Sequence, residues 1–541
     1  MKLHIVLLAM LCVAQMWSVT SADELQPADK PVEEVIDHYI DAKLQQQNVM
    51  PAAVVDDATF IRRVTLDLAG RIPLAAELQA FLQSGETDKR KQLVDRLLAS
   101  PDFAYQQRNE LNTLLMPTRD EGDWKKWLLK ACQENRPWDQ IFRQLMLSRD
   151  DNADDKPALA FLKARARDVD DLTNDTSKLF FGVSINCAKC HDHPLVLDWT
   201  QDHYFGMASF FNRTYLTKKN FLAERDEGAL KFKTTEGVDK DAKLMFLTNA
   251  VIEEPAVQLS EDEKKARQTK EKEDNDRETP PAPPAFSRRA QIVEVALKPD
   301  PNGFFPRSIV NRHWARLLGH GLVHPVDQMH SANPASHPDL LTWLARDLET
   351  HGYDLKRLVR GIALSHAYAR SSRWEQSERP APELFAVATV RPLSPMQYSL
   401  SLTIAASNPE QLAQATAKPE DWTNRRRDLE NHANGFSHQL ETPGDNFQVS
   451  VSEALLFSNG THVQNEYLRD GGDRLVGKLK ATTDRDQLIQ AAFQSVLSRS
   501  AETDEAEAIR QFLSAREDRQ VPAIQQLLWT MLTGGEFRFN Y

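Results

Sequence analysis

The stretch from Glu261 to Pro284 sets the strongest limit on how this chain can fold. Glu261 to Glu278 is dense in both charge signs and nearly free of apolar residues, and Thr279-Pro280-Pro281-Ala282-Pro283-Pro284 closes it. A segment with so little apolar surface cannot offset the entropy of ordering itself in a core, and clustered prolines hold the backbone extended. It therefore reads as a linker, or as an exposed helix running into an extended spacer, and it divides the chain.

Both flanks carry helical periodicity. Phe60-Ile61-Arg62-Arg63-Val64-Thr65-Leu66-Asp67-Leu68 and Leu93-Val94-Asp95-Arg96-Leu97-Leu98 place apolar residues three and four apart, and Ala69-Gly70-Arg71-Ile72-Pro73 interrupts the first. A further helical stretch runs from Asp123 to Met146. Leu230-Lys231-Phe232-Lys233-Thr234 instead alternates, and Ala256-Val257-Gln258-Leu259 suits another short strand. Beyond the spacer, Ser336-His337-Pro338-Asp339 reads as a capping box with Ser336 at the N-cap. Leu340, Leu341, Leu344 and Leu348 share one face of the helix it opens, and His351-Gly352 ends it. Ser394-Pro395-Met396-Gln397 starts another helix in the same way. The expectation is a mainly α protein with two helical domains, residues 23–225 and 286–541, and with a small β element and the charged, proline-rich linker at 226–285.

The first 22 residues have the layout of a signal peptide. Lys2 and His4 precede an apolar run from Ile5 to Trp17, and Thr20-Ser21-Ala22 offers a cleavage site. No second apolar run is long enough to span a bilayer, so the reading is an exported protein with no stable membrane span after cleavage. The net charge of -12 excludes a general nucleic-acid binder. The Arg425-Arg426-Arg427 cluster, followed at once by Asp428 and Glu430, reads as a solvated helix face.

Of the four cysteines, Cys12 falls in the leader and Cys132 reads as a small buried apolar residue. The remaining two stand in Cys187-Ala188-Lys189-Cys190-His191. In c-type haem attachment two thiols form thioethers with the porphyrin edge, and the next histidine takes the iron. The spacing points to haem c on Cys187, Cys190 and His191. Two other uses stay open: a structural zinc site on these cysteines with His191 or His193 and a distant ligand, or a Cys187–Cys190 disulfide. For the second axial position His203 and Met207 are the local candidates, because His193, two residues from His191, cannot easily reach the opposite haem face and stands as an alternative metal ligand. Met329, His330 and His337 become candidates if the C-terminal half folds over the motif. Phe180, Phe181, Val183, Ile185, Phe205, Phe210 and Phe211 could wall a haem or simply pack a core.

The run Phe180 to Pro194, with its Cys-Ala-Lys-Cys-His-Asp-His-Pro, resembles the planctomycete-type cytochrome-c-like domain of unknown function. Asp198-Trp199-Thr200-Gln201-Asp202-His203-Tyr204-Phe205-Gly206 continues the likeness, and Arg62 to Phe81 and Leu93 to Phe103 are similar to the same family. Past the linker, Val310 to Val323, Asn333 to Pro338 and Glu536 to Tyr541 look like the partner domain that accompanies it. The resemblance implies haem c on Cys187, Cys190 and His191 and assigns no activity. The leading functional expectation is an exported, haem-c-binding redox protein with an unidentified partner. The competing ones are an extracellular enzyme acting on a polymer, with Asn311 to His337 as its site, and a cell-surface module holding zinc. No nucleophilic-serine, phosphate-loop or His-Glu-x-x-His motif occurs.

Overall fold

A computed structural model describes residues 25–117, 122–255, 260–300, 303–444, 448–461 and 463–541. The leader at 1–22, Cys12 and the possible strand at 256–259 lie outside the described residues. Of the described residues 58% are helical and 5% are in strand or bridge, so the fold is mainly α.

The helix Asp57–Ala69 shows how the halves are joined. Asp56 caps it by accepting from the Thr59 amide at 2.7 Å, and Gly70, at φ 70°, ends it in the left-handed conformation. Its sequence alternates apolar and charged residues, yet every residue from Phe60 to Ala69 is buried, Arg62, Arg63 and Asp67 included. A helix buried all round needs internal partners for its charges, and the distant half of the chain supplies them. Arg391 donates to both Asp67 carboxylate oxygens at 2.9 and 2.8 Å, and the Tyr368 hydroxyl donates to Asp67 at 2.7 Å. Arg62 donates to the carbonyls of Glu536 and Phe537, and Arg63 to those of Arg370 and Tyr541.

The apolar core follows the same plan. One buried cluster draws on residues from Val32 to Leu247 and continues through Ile292 to Val387. A second joins Leu66, Ile72 and Leu74 to residues from Leu393 to Phe537. The two sides of the spacer therefore share their cores. The Arg425–Arg427 reading needs correction on the same ground: Arg426 is fully buried, ion-paired with Asp102 at 2.8 Å and Glu430 at 2.7 Å. Arg71 meets Asp102 from the other side at 2.8 Å. The local sequence around Arg426 shows acids close by, which suits a solvated face. The acid that buries it, Asp102, sits far away in sequence.

The charged segment forms the helix Glu261–Asp276, opened by a capping box between Ser260 and Glu263. It lies on the surface and pairs with the preceding hairpin through Arg225–Glu271 and Arg267–Glu227. Such exposed pairs contribute little each. Strands among the described residues form three two-stranded antiparallel sheets. Lys231–Lys233 pairs with Asp239–Asp241, as the alternation predicts, and Thr214–Leu216 pairs with Leu222–Glu224. Arg391–Pro392 pairs with Phe539–Asn540. The Ser394 capping box forms as read. The one at Ser336 does not: His337 is the N-cap of the helix Pro338–Thr350, because the Ser336 amide is turned to the Leu322 carbonyl at 2.7 Å.

Because the cores are shared, a cut in the exposed segment 261–284 should not release two independent bodies. Limited proteolysis there is expected to give two fragments on a denaturing gel that co-elute as one particle under native conditions. Separate elution would contradict the shared core.

Candidate functional site

The cysteine motif is positioned by the helix that precedes it. Val169–Phe181 starts at Asp168, whose carboxylate accepts from the Asp170 amide at 2.8 Å, and stops at Gly182. Gly182 has φ +68°, and a Cβ there would lie 3.0 Å from the Met329 sulfur and 3.2 Å from the Ser308 hydroxyl. The chain then pairs antiparallel with a segment from beyond the spacer, Val183 opposite Gln328. The Ser184 amide donates to the Asp327 carbonyl at 3.0 Å, and the Met329 amide donates to the Gly182 carbonyl at 3.0 Å. Lys178 and Asp327 add an ion pair at 3.0 Å.

Downstream of this pairing Asn186–Lys189 forms a 3-10 turn. Residues three apart are eclipsed on such a turn, so Cys187 and Cys190 fall on one side of it. Both thiols are free and exposed, while Ala188 between them is fully buried and anchors the turn. Lys189 is held by Asp170, which also accepts from the Tyr204 hydroxyl at 2.5 Å. Burial and the Asp170 carboxylate together push the Tyr204 phenol up, so it stays a donor. The Gln201 side-chain amide donates to the Cys190 carbonyl at 3.2 Å, and its backbone amide donates to Asp192 at 2.8 Å.

The three histidines near the turn differ in what their nitrogens do. Exposed His191 places Nδ1 2.7 Å from the Asp192 carbonyl. A carbonyl only accepts, so the proton sits on Nδ1 and the Nε2 lone pair is free. His193 is the reverse: its Nδ1 accepts from the Leu195 and Val196 amides at 3.3 and 3.1 Å, shaping the loop. His203 caps the helix Gln201–Ser209 with Thr200 through Nδ1, and its ring is buried. Burial holds its pKa below the ordinary histidine value, against the pull of Asn249 and nearby aspartates. Met207 is fully buried in the core. So are Phe180, Phe181, Val183, Ile185, Phe210 and Phe211, whereas Phe205 stacks on Phe232 with ring centres 4.2 Å apart. The apolar groups that stand out beside the turn are Leu195 and Leu197, 83% and 93% exposed. Buried Cys132 has its thiol pushed up to about 12 by desolvation.

The segment from Asn311 to His337 divides by role. Asn311 is a buried clamp that donates to the Val323 carbonyl at 2.8 Å and accepts from the Val323 amide at 3.0 Å. His320 and His324 stack on each other, ring centres 4.0 Å apart, and His320 and His337 both lie against Phe385. Met329 and His330 instead face the motif side: Met329 through Gly182, and His330 through its electrostatic contact with Asp198 and His193. Asp198 accepts from the Ser331 amide and hydroxyl at 2.7 and 2.5 Å. Burial raises its pKa and these bonds more than offset that, leaving the carboxyl below its usual range. Among the described residues no three His, Cys, Asp or Glu side chains are grouped closely enough to hold a metal ion.

Residues 35–215 match the family model PSCyt2, described as a protein of unknown function (DUF1549), and residues 288–441 match PSD1, likewise a protein of unknown function (DUF1553). Two stretches of the chain, one after the other, thus resemble families of unknown function. No curated protein and no solved structure matches it. The PSCyt2 region contains the whole cysteine turn, and the PSD1 region supplies Asp327 to Ser331, so the pairings above join one family region to the other. Nothing in the local sequence of either partner announces them.

Two buried histidines of the PSD1 region make stability depend on pH. Burial, aided by Arg316, lowers His313 to about 3, and burial, aided by Lys43, lowers His337 to about 3. Their unfolded value is near 6.5, so this stability is complete above that pH and is lost as the pH falls toward the folded values. At pH 5 each should cost about 2 kcal/mol. Urea denaturation is expected to show a falling midpoint from pH 7.5 to 5. His337→Asn, which does not titrate, should remove about half of the drop. Separately, Gly182→Ala should lower stability by about 1–2 kcal/mol, because it forces a side chain into the left-handed region against Met329.

Proposed function

We propose that this chain is an exported redox protein that carries haem c on Cys187 and Cys190, with His191 as axial ligand. The observation that carries this reading is the state of the three side chains. Two free, exposed thiols three residues apart share one side of a turn, and the next imidazole donates from Nδ1 and keeps Nε2 available. An imidazole whose other nitrogen donates to a backbone carbonyl is the usual form of an iron-binding histidine. Haem attached there supplies one-electron transfer to a partner outside the cytoplasm.

The chain's own residues prepare the turn in specific ways. Buried Ala188 fixes the turn to the core, Lys189 locks it to Asp170, and Gln201 holds the Cys190 carbonyl. Leu195 and Leu197 offer exposed apolar surface after the turn that a haem edge or a partner would cover. The leader-like residues 1–22 suit export, which c-type attachment requires in bacteria. None of the helices in the described residues is long and apolar enough to cross a membrane.

Protein made in a host with c-type haem maturation machinery should show a reduced haem absorption band that stays with the polypeptide through acidified organic extraction. Replacing both Cys187 and Cys190 by Ala should release the colour into the solvent or abolish it. A colourless product from the same host, with zinc bound one to one, would overturn this reading.

A further inference from the structure

At the loop that follows the cysteine turn lies a cavity of about 680 Å³ that neither family region forms alone. Asp198 and Trp199 of the motif loop form one side, Asn249 a second, and Phe304, Arg307 and His330 of the PSD1 side the rest. Its size is in the range of small-molecule sites.

Arg307 is the feature without a structural explanation. Other arginines withdrawn from water in this chain have acceptors: Arg391 has Asp67, Arg426 has Asp102 and Glu430, and Arg62 has two carbonyls. Arg307 is largely buried, yet its Nε has no hydrogen-bond partner and no described residue forms an ion pair or side-chain hydrogen bond with its guanidinium. Desolvation pulls its pKa down, and the charge of Asp300, also in the cavity wall, pulls it up from beyond bonding distance. His330 brings a second buried nitrogen without a partner, Nδ1. The helices Phe304–Leu318 and Pro338–Thr350 both begin at this cavity, and neither N-terminus has a side-chain cap. A guanidinium without a partner among the described residues, beside two helix N-termini, favours an oxyanion.

The wall also sets the class of anion. Asp198 and Asp300 both line it, so a doubly charged phosphate or sulfate meets two like charges, whereas a single carboxylate with a donor group of its own can place that donor against Asp198. Trp199 and Phe304, ring centres 5.9 Å apart, give the cavity an aromatic side. We propose that this cavity binds a monocarboxylate that carries an apolar or aromatic group and a hydrogen-bond donor, with Arg307 holding the carboxylate. Aromatic amino acids and aromatic hydroxy acids share this chemistry. The proposal stands apart from the haem reading, since no group in it is a cysteine or His191.

The test uses the full chain, with and without Cys187→Ala and Cys190→Ala. L-Phenylalanine and L-3-phenyllactate, which differ in ammonium against hydroxyl, are titrated by calorimetry beside inorganic phosphate. At least one of the two acids should bind saturably, more tightly than phosphate, and equally well in the double cysteine variant. Arg307→Gln should weaken that binding at least tenfold while leaving the melting temperature unchanged or higher, because it removes a largely buried charge that has no partner among the described residues. His330→Gln should weaken it less. Absence of saturable binding by both acids, unchanged binding in Arg307→Gln, or tighter phosphate binding would overturn the proposal. So would a marked drop in the melting temperature of Arg307→Gln, which would make Arg307 a structural residue.

Discussion

The pairing of residues 182–184 with 327–329 is the constraint on which the rest of the site depends. It is short: two backbone hydrogen bonds, one ion pair and a left-handed glycine. Its position gives it leverage. The helix Val169–Phe181 ends at Gly182 and the cysteine turn begins at Asn186, so the pairing fixes the direction in which the chain leaves the core and presents its thiols. A small displacement here would move both cysteines together, since Ala188 and Gln201 tie the turn into one unit.

The same logic runs through the molecule at larger scale. The helix Asp57–Ala69 is buried with its charges because Arg391, Tyr368 and the final residues of the chain close around it. Removing one member of such a network leaves an unpaired buried charge, which costs roughly 3–5 kcal/mol. The two family regions are thus held by paired charges as well as by apolar contact, and the charges specify how the halves meet. That explains why the spacer can be exposed and highly charged without separating them.

What the sequence made legible was mostly local. Helical spacing, the Ser394 capping box, the strand at Lys231–Lys233 and the exposed charged helix are each decided by residues close in sequence. The failures were long-range. Arg426 looks solvated beside Asp428 and Glu430, and only Asp102 makes it a core residue. Ser336 looks like an N-cap until Leu322 takes its amide. Phe180 and Phe181 look available to a cofactor until Phe142, Trp138 and Phe246 fill the space against them. Arg307 carries no sequence signal at all, because its distinction is the lack of a partner.

The central claim is that the cysteine turn is built jointly by the PSCyt2 and PSD1 regions. Hydrogen exchange of the intact protein, read by mass spectrometry on peptides covering residues 182–190 and 326–331, tests it most directly. The account predicts that the Ser184 and Met329 amides are protected to the same degree and lose protection together as denaturant is added. Exchange of the 182–190 peptide at low denaturant, while the PSD1 core stays protected, would contradict it.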